Sequence, residues 1–212
     1  MSKFPLVLAA LLIGTLAAHA DSLVTSRPAG SDSVDWSQLG SSSTTITNPF
    51  SFTTAGGVQG TGSYASGTGM LLLEGSGWGG NFAPGEYLNW NQGNGLITLN
   101  FANGYTEIGA QIQADSFDGF TAQICDVNGC FTEGGWSDGS NNGSAIYLGI
   151  SSSTPITWVT FSLTNGGSDF AINGLTLGDE SAATPEPSSL ILLGTGLMGL
   201  AGALRRKLAR RN

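Results

Sequence analysis

The central part of the 212-residue chain lacks the side chains on which most covalent and acid–base catalysis depends. The one histidine, His19, and the two lysines, Lys3 and Lys207, lie near the ends, so residues 21–183 contain neither type. This absence excludes Ser-His-Asp and Cys-His catalysis, Schiff-base formation and Ser-Lys dyads in that part. It also excludes zinc, copper or iron sites with histidine ligands.

Positive charge is almost as scarce in the same part. Arg27 is its single basic residue, against fourteen carboxylates, which makes a net charge of −13. The whole chain reaches only −8 because the other basic residues lie in the terminal segments. A surface of this charge repels phosphate backbones. The sequence therefore excludes nucleic acid as a partner.

Long apolar runs occur only in the two terminal segments. The first segment, MSKFPLVLAALLIGTLAAHA, has a basic start, a short apolar stretch and the small residues Ala18 and Ala20. These features are typical of a secretory signal peptide. The apolar stretch is shorter than the roughly 20 residues that a membrane helix needs, which disfavours a retained anchor. We predict a signal peptide over residues 1–20, cut by signal peptidase, and an exported mature chain that begins at Asp21.

The chain has only two cysteines, Cys125 and Cys130, which flank the segment DVNG. In an exported protein, a pair around a four-residue loop indicates a disulfide between the strands of a hairpin. A redox or metal pair is the alternative, but the C-x-x-C spacing and a second ligand pair are both missing. The sequence therefore predicts the disulfide.

Residues 21–183 consist of short alternating or apolar runs separated by glycine, serine, threonine and asparagine. No stretch has sustained helical apolar spacing, which indicates an all-β body. Asn-Gly pairs are typical of tight connections between antiparallel strands; they begin at Asn94, Asn103, Asn128, Asn142 and Asn165. The pattern predicts one domain, a two-sheet antiparallel β-sandwich of the jelly-roll type. A β-helix is the main alternative, and the lack of a fixed-period repeat disfavours it.

The segment ITWVTFSLT has the clearest strand pattern. Val159, Phe161 and Leu163 alternate with polar residues, so we expect them on the buried face. Phe170 follows an Asn-Gly-Gly turn and can join the same core. Trp158 is expected to point the other way, toward solvent or a second layer.

The C-terminal segment has three parts in a fixed order. Pro185, Glu186 and Pro187 come first, followed by the uncharged stretch Ser188–Leu204 and by five basic residues within Arg205–Arg211. This order resembles the PEP-CTERM sorting signal. The resemblance implies that an exosortase-type membrane protease reads the motif, removes the tail and passes the body to the cell surface or an extracellular matrix.

The physical properties of residues 184–212 agree with such a signal. The uncharged stretch would span about 25 Å as a helix, slightly less than a hydrocarbon core of about 30 Å. The basic cluster would hold the far end in the cytoplasm. We therefore predict a single transmembrane helix that anchors the protein transiently in the inner membrane. An anchor that is never cut is the alternative.

The body also resembles the β-sandwich bodies of exported bacterial PEP-CTERM proteins. The resemblance rests on the ordered segments VDWSQLG, NPFSFTTAGG, GWGGNFAPGEYLNW, ITLNFANGYTEIGAQIQADSFDGFTAQI, AIYLGISSSTPITWVTFSLTNG and DFAINGLTLG. It implies a fold and no particular activity. Jelly rolls of similar outline are common among carbohydrate-binding modules and lectins, which is an analogy at the level of the fold.

Two kinds of ligand are suggested by the residues of the body. Trp78, Trp90 and Trp136 occur in Gly- or Asn-rich segments that could present them to a polysaccharide; burial in the core is the alternative. Asp115, Asp118 and Asp126 are oxygen donors near turns and are weak candidates for a structural calcium. No other cofactor is expected.

Carboxylate chemistry is the remaining route to catalysis. A glycosidase needs two facing carboxylates, and the candidates are Glu74, Glu86, Asp115, Asp118 and Glu133. Solvated surface charge explains these residues more simply, so we expect no catalytic residue. The sequence predicts a non-enzymatic, structural or adhesive surface protein with polysaccharide as its partner. The alternatives are a carboxylate-dependent glycoside-active enzyme and a calcium-dependent adhesin.

Overall fold

The computed structural model describes residues 21–181, which form fifteen strands and one short 3-10 helix, Trp36–Leu39. The strands are β1 (Ser22–Val24), β2 (Asp32–Val34), β3 (Thr44–Ile46), β4 (Phe50–Thr53), β5 (Gln59–Tyr64), β6 (Gly69–Glu74), β7 (Gly77–Trp78), β8 (Tyr87–Trp90), β9 (Ile97–Ala114), β10 (Gly119–Cys125), β11 (Cys130–Trp136), β12 (Ile146–Asn165), β13 (Phe170–Ile172), β14 (Leu175–Leu177) and β15 (Glu180–Ser181). Among these residues, no helix is long and apolar enough to cross a membrane. The predicted signal peptide, sorting motif and transmembrane helix lie outside the described residues.

The strands pair antiparallel throughout the described residues, apart from the parallel contact of β6 with β7. The main hydrogen-bonded order is β11-β10-β12-β9-β13-β8-β6-β3. The first part of β9 is paired on both edges, with β12 on one edge and β5 on the other, and β4 pairs with β5. The all-β, antiparallel fold class is therefore confirmed.

Two long strands, β9 and β12, connect the parts of this network. Their register shifts between Ser151 and Ile156 and again between Ile156 and Trp158. Each shift is an irregularity of the β-bulge kind, which changes the side chains that face the core. The inward residues of β12 are accordingly Leu148 and Ile150 before the shifts, and Val159 and Phe161 after them.

The main core contains most of the residues that alternation predicts. Val159, Phe161 and Phe170 are buried in it, and Leu163 packs against it half-buried. Trp158 is half-buried and belongs to neither core cluster of the described residues, in agreement with its predicted outward direction. The 2.0-residue period of the sequence thus sets the buried face of this strand.

One predicted turn is wrong. Asn103 and Gly104 lie inside β9, which continues past them to Ala114. β15 pairs with β9 at Gly104 and Tyr105, and Pro155 of β12 packs so closely that a Cβ at Gly104 would overlap it. The glycine is needed for this close approach, and the chain does not reverse there.

The β10–β11 hairpin contains the predicted disulfide. Cys125 and Cys130 are directly opposed residues of the two strands and are bonded to each other. The Asp126 carboxylate accepts hydrogen bonds from the backbone N–H groups of Asn128 and Gly129, at 2.9 and 3.2 Å, and shapes the turn between them. The Asp126 side chain and the disulfide therefore stabilise the same end of the hairpin.

Replacing Cys125 and Cys130 together by serine should lower the free energy of unfolding by about 2 kcal/mol, because the short loop they close gains freedom in the unfolded chain. Urea denaturation of the full chain would measure the loss. Wild-type protein under a reducing agent should match the double variant. An unchanged midpoint in both samples would contradict the prediction.

Candidate functional site

Three connections meet beside the buried side chain of Asn81: the segment after β7, the β9–β10 turn and the β11–β12 connection. The Asn81 amide nitrogen lies within hydrogen-bond distance of Asp138 Oδ1 at 2.7 Å, Ser140 Oγ at 3.0 Å and Ser144 Oγ at 3.1 Å, which share its two N–H groups. Its carbonyl oxygen accepts from the backbone N–H of Asp138 at 2.9 Å. One buried amide therefore fixes most of the β11–β12 connection.

Gln113, a buried residue of β9, connects Asn81 to the sheet through hydrogen bonds. Its amide nitrogen donates to Asn81 Oδ1 at 2.8 Å and to the Ser137 hydroxyl, and its Oε1 accepts the Asn81 backbone N–H at 2.6 Å. Buried polar networks that are well satisfied are rigid. The loops around Asn81 are therefore held in one arrangement.

A cleft of about 310 Å³ opens where these connections meet. Its lining residues are Trp78, Gly79, Gln113, Ala114, Asp115, Phe117 and Ser137. Phe117 is 67 % exposed, and its ring and the Gly79 carbonyl both lie close to Gly139. Trp78 is buried, and within the described part of the chain its indole N–H has no acceptor. The cleft thus combines an open aromatic ring and an exposed carboxylate with a wall in which the Trp78 indole, the Gln113 amide and the Ser137 hydroxyl are buried.

The carboxylates around the cleft titrate differently. Partial burial raises the pKa of Asp115, and the nearby Asp169 carboxylate raises it further. Hydrogen bonds from the Ser140 and Asn81 side chains lower the pKa of Asp138. Asp138 therefore works as a charged support of the loop, whereas Asp115 is the acceptor that lines the cleft.

The three tryptophans predicted as ligand contacts lie in different environments. Trp78 is 6 % exposed, Trp90 is half-buried and Trp136 is 62 % exposed. The rings of Trp78 and Trp90 meet edge to face with centroids 6.0 Å apart, within a small core that includes Phe82. Trp90 donates its indole N–H to Asp169. Trp136 lies apart from both, at the end of β11 opposite Gly119.

Phe117 is the cleft residue that the sequence reasoning did not select. It stands between two aspartates in the turn segment DSFDG. An apolar ring in so polar a turn has no core to enter, and that context was the available signal for an exposed aromatic.

The three calcium candidates do not come together. Asp115 and Asp118 lie in the β9–β10 turn, and Asp126 follows β10, whose seven residues separate it from Asp118 by roughly 24 Å. Asp118 Oδ1 accepts the Gly119 backbone N–H at 2.7 Å. Within residues 21–181, no group of three or more acidic, histidine or cysteine side chains could hold a metal ion. Calcium binding stays a prediction.

The glutamates among the candidates for the alternative, a glycosidase, are Glu74, Glu86 and Glu133, and the first two are engaged in structural bonds. Glu74 is buried, accepts the Gly80 backbone N–H at 3.0 Å, and has its pKa raised by burial and, less strongly, by Glu86. Glu86 accepts from Arg27 at 3.4 Å and from the Asn173 amide at 3.2 Å. Glu133 lies half-buried on β11.

A second cleft, of about 340 Å³, contains both Glu86 and Asp35 beside Arg27 and Tyr87. Asp35 caps the 3-10 helix by accepting the Ser37 backbone N–H at 2.8 Å. Glu86 is held by Arg27 and Asn173. Each carboxylate in this cleft thus has a structural bond of its own.

In the comparisons with known proteins, one family model matches a short part of the chain. Residues 183–207 match the PEP-CTERM protein-sorting motif. No curated protein matches the chain significantly. Among solved structures, CsCBM6-3 from Clostridium stercorarium in complex with cellobiose is similar with a TM-score of 0.24 and 11 % identity, over 65 % of this chain and 88 % of that chain. A likeness at this level does not bear on the ligand of this chain. The chain carries a PEP-CTERM protein-sorting motif, as its C-terminal sequence predicts.

Proposed function

We propose that the protein is a non-enzymatic cell-surface or extracellular-matrix protein whose body binds polysaccharide, with a structural or adhesive role. The sorting motif implies an exported protein that an exosortase sorts. The binding function rests on one observation, the cleft in which Phe117 and Trp78 stand beside polar groups of Asp115, Gln113 and Ser137.

The chemistry of this cleft suits a sugar ring. A pyranose offers an apolar C–H face and a rim of hydroxyls that both donate and accept. The Phe117 ring is open to the C–H face, and the exposed Asp115 carboxylate accepts from hydroxyls. The cleft volume lies at the lower end of the range of about 300–1,000 Å³ for small-ligand sites.

The rigidity of the cleft also supports binding. Asn81 and Gln113 hold its loops through buried hydrogen bonds, so little conformational entropy is lost when a ligand enters. Glycoside hydrolysis would require two carboxylates that both face the substrate. The cleft carboxylate is Asp115, and its near neighbour Asp169 already accepts from Trp90.

Replacing Phe117 by alanine should weaken polysaccharide binding about tenfold, because the exposed ring provides most of the apolar contact. Affinity electrophoresis of the full chain in mild detergent, in gels that contain extracellular polysaccharide of the producing cells, would measure it. Val127→Ala is the matched control, since Val127 is 73 % exposed and distant in sequence from the cleft.

Equal mobility of wild type and Phe117→Ala, or an equal effect of Val127→Ala, would contradict the proposed site. Release of reducing ends from the polysaccharide by wild-type protein, lost in Glu86→Gln, would favour the glycoside-active enzyme. Binding that depends on added calcium would favour the adhesin.

A further inference from the structure

The outer side of six adjacent strands, β4, β5, β9, β12, β10 and β11, carries three rows of uncharged side chains. In the order β4-β5-β9-β12, Ser51 is opposite Thr61, Thr61 is opposite Asn100, and Asn100 is opposite Trp158. Residues that are directly opposed in antiparallel strands point to the same face. The row therefore ends in a half-buried tryptophan that points away from the core.

Two further rows continue this pattern. Ser63, Thr98 and Thr160 are opposed across β5, β9 and β12. Gln123 is opposed to Ser162 of β12 on one side and to Thr132 of β11 on the other. These side chains are half-buried or exposed. We call the three rows together the uncharged face.

The uncharged face contrasts with the rest of the body. Its rows contain no acidic or basic residue, although residues 21–183 carry fourteen carboxylates. Glu133, on the edge strand β11, alternates with Thr132 and so belongs to the opposite side of that strand. A shallow depression of about 350 Å³ lies over the first row, beside Ser51, Thr61 and Asn100.

We propose that the uncharged face is a second binding surface, which takes an extended, neutral polysaccharide chain. The inference rests on the proposed function for its class of ligand, but it uses none of the residues of the cleft. The first row crosses three strand spacings, or about 14 Å. It is therefore long enough for more than one sugar unit to lie across it, with Trp158 as the aromatic contact.

The charge and the hydrogen-bonding groups of the uncharged face favour a neutral polysaccharide over other partners. A body of net charge −13 repels anionic polymers, and the face offers no carboxylate for a cationic partner. Its hydroxyl and amide groups can each donate to and accept from sugar hydroxyls. A second copy of the chain fits less well, because buried interface centres are apolar and aromatic, and pairing two such faces would bury many hydroxyls at a cost in desolvation.

The test compares two variants on the face with one off it. Trp158→Ala removes the ring, and Thr61→Glu adds a charge at an exposed position. Thr45→Glu is the matched control, since Thr45 is an exposed strand threonine on β3. The full chain in mild detergent is tested for retention by amylose and cellulose as neutral polymers and by alginate as an anionic one.

We expect wild type to be retained by a neutral polymer and not by alginate. Trp158→Ala and Thr61→Glu should each weaken retention about tenfold, and Thr45→Glu should leave it unchanged. Should Trp158→Ala fail to fold, Thr61→Glu alone decides. Retention that neither face variant changes, or equal retention by alginate, overturns the inference.

Phe117→Ala separates this inference from the proposed function. If Phe117→Ala weakens binding and the face variants do not, the cleft is the binding site and the uncharged face is not one. If no neutral polymer retains wild type, the inference is overturned whatever the cleft binds. A concentration-dependent dimer in sedimentation that Thr61→Glu dissolves would show that a second copy occupies the face, and would overturn it.

Discussion

An alanine triplet in place of Pro185, Glu186 and Pro187 is expected to leave the tail uncut in a host that contains an exosortase. The sequence places the motif directly before the predicted membrane helix, and proline disfavours helix, so we expect backbone there that a protease can reach. Wild type in the same host should lose the tail and leave the membrane fraction. Intact mass and cell fractionation measure both effects, and we expect an all-or-none difference.

A neighbouring triplet serves as the control for this change. Thr184, Ser188 and Ser189 flank the motif, and their replacement by alanine should leave processing intact. A host without an exosortase should retain the uncut wild type in its membrane. Cutting of the motif variant to the same extent as wild type, or no cutting of wild type in either host, would contradict recognition of the motif.

Truncation of Trp36 to alanine is expected to lower the free energy of unfolding by about 3–5 kcal/mol. Trp36 is fully buried, and its ring meets those of Phe52 and Phe50 edge to face at 5.7 and 6.3 Å. Its indole N–H also donates to the Asn173 carbonyl oxygen at 2.8 Å, which would lose a buried partner. Since the free energy of unfolding of a domain is only about 5–15 kcal/mol, this loss would remove a large fraction of it.

Trp136→Ala provides the same chemical change at an exposed position. Trp136 is 62 % exposed, so its removal leaves no cavity and should cost less than about 1 kcal/mol. Urea unfolding followed by fluorescence and circular dichroism compares the two variants. Equal losses for Trp36→Ala and Trp136→Ala would contradict the assignment of Trp36 to the core.

The strands that the sequence predicts well are those with apolar alternation, such as the one that contains Val159 and Phe161. The sequence of β5, QGTGSY, has no run of alternating apolar residues and does not predict a strand. Its inward positions include Gly60 and Gly62, where a Cβ would overlap the rings of Phe52 and Phe50. The core beneath β5 is filled from the neighbouring strand, so its own sequence shows no apolar period.

The sorting motif can be predicted from the sequence, whereas the two candidate binding surfaces cannot. The PEP motif is a short contiguous signal, and the match at residues 183–207 confirms it. The cleft depends on buried bonds of Asn81 to residues about 60 positions later, which no local pattern shows. The uncharged face requires the pairing of β5 with β9, and this contact could not be inferred without β5.

The pairing of β15 determines how the body would carry a mechanical load. If the predicted tail anchors the protein, tension in the chain would enter the body through the backbone of Glu180 and Ser181. These residues pair with Tyr105 and Gly104 near the middle of β9, and β14 pairs with β9 through Thr176 and Leu177. Between these strands, the Gly178 N–H donates to the Glu107 carbonyl and the Asp179 carbonyl accepts from the Thr106 N–H, so the contact with β9 is continuous from Leu177 to Ser181. A pull on the tail would therefore have to break this edge bond by bond before it reached the buried side chain of Leu177.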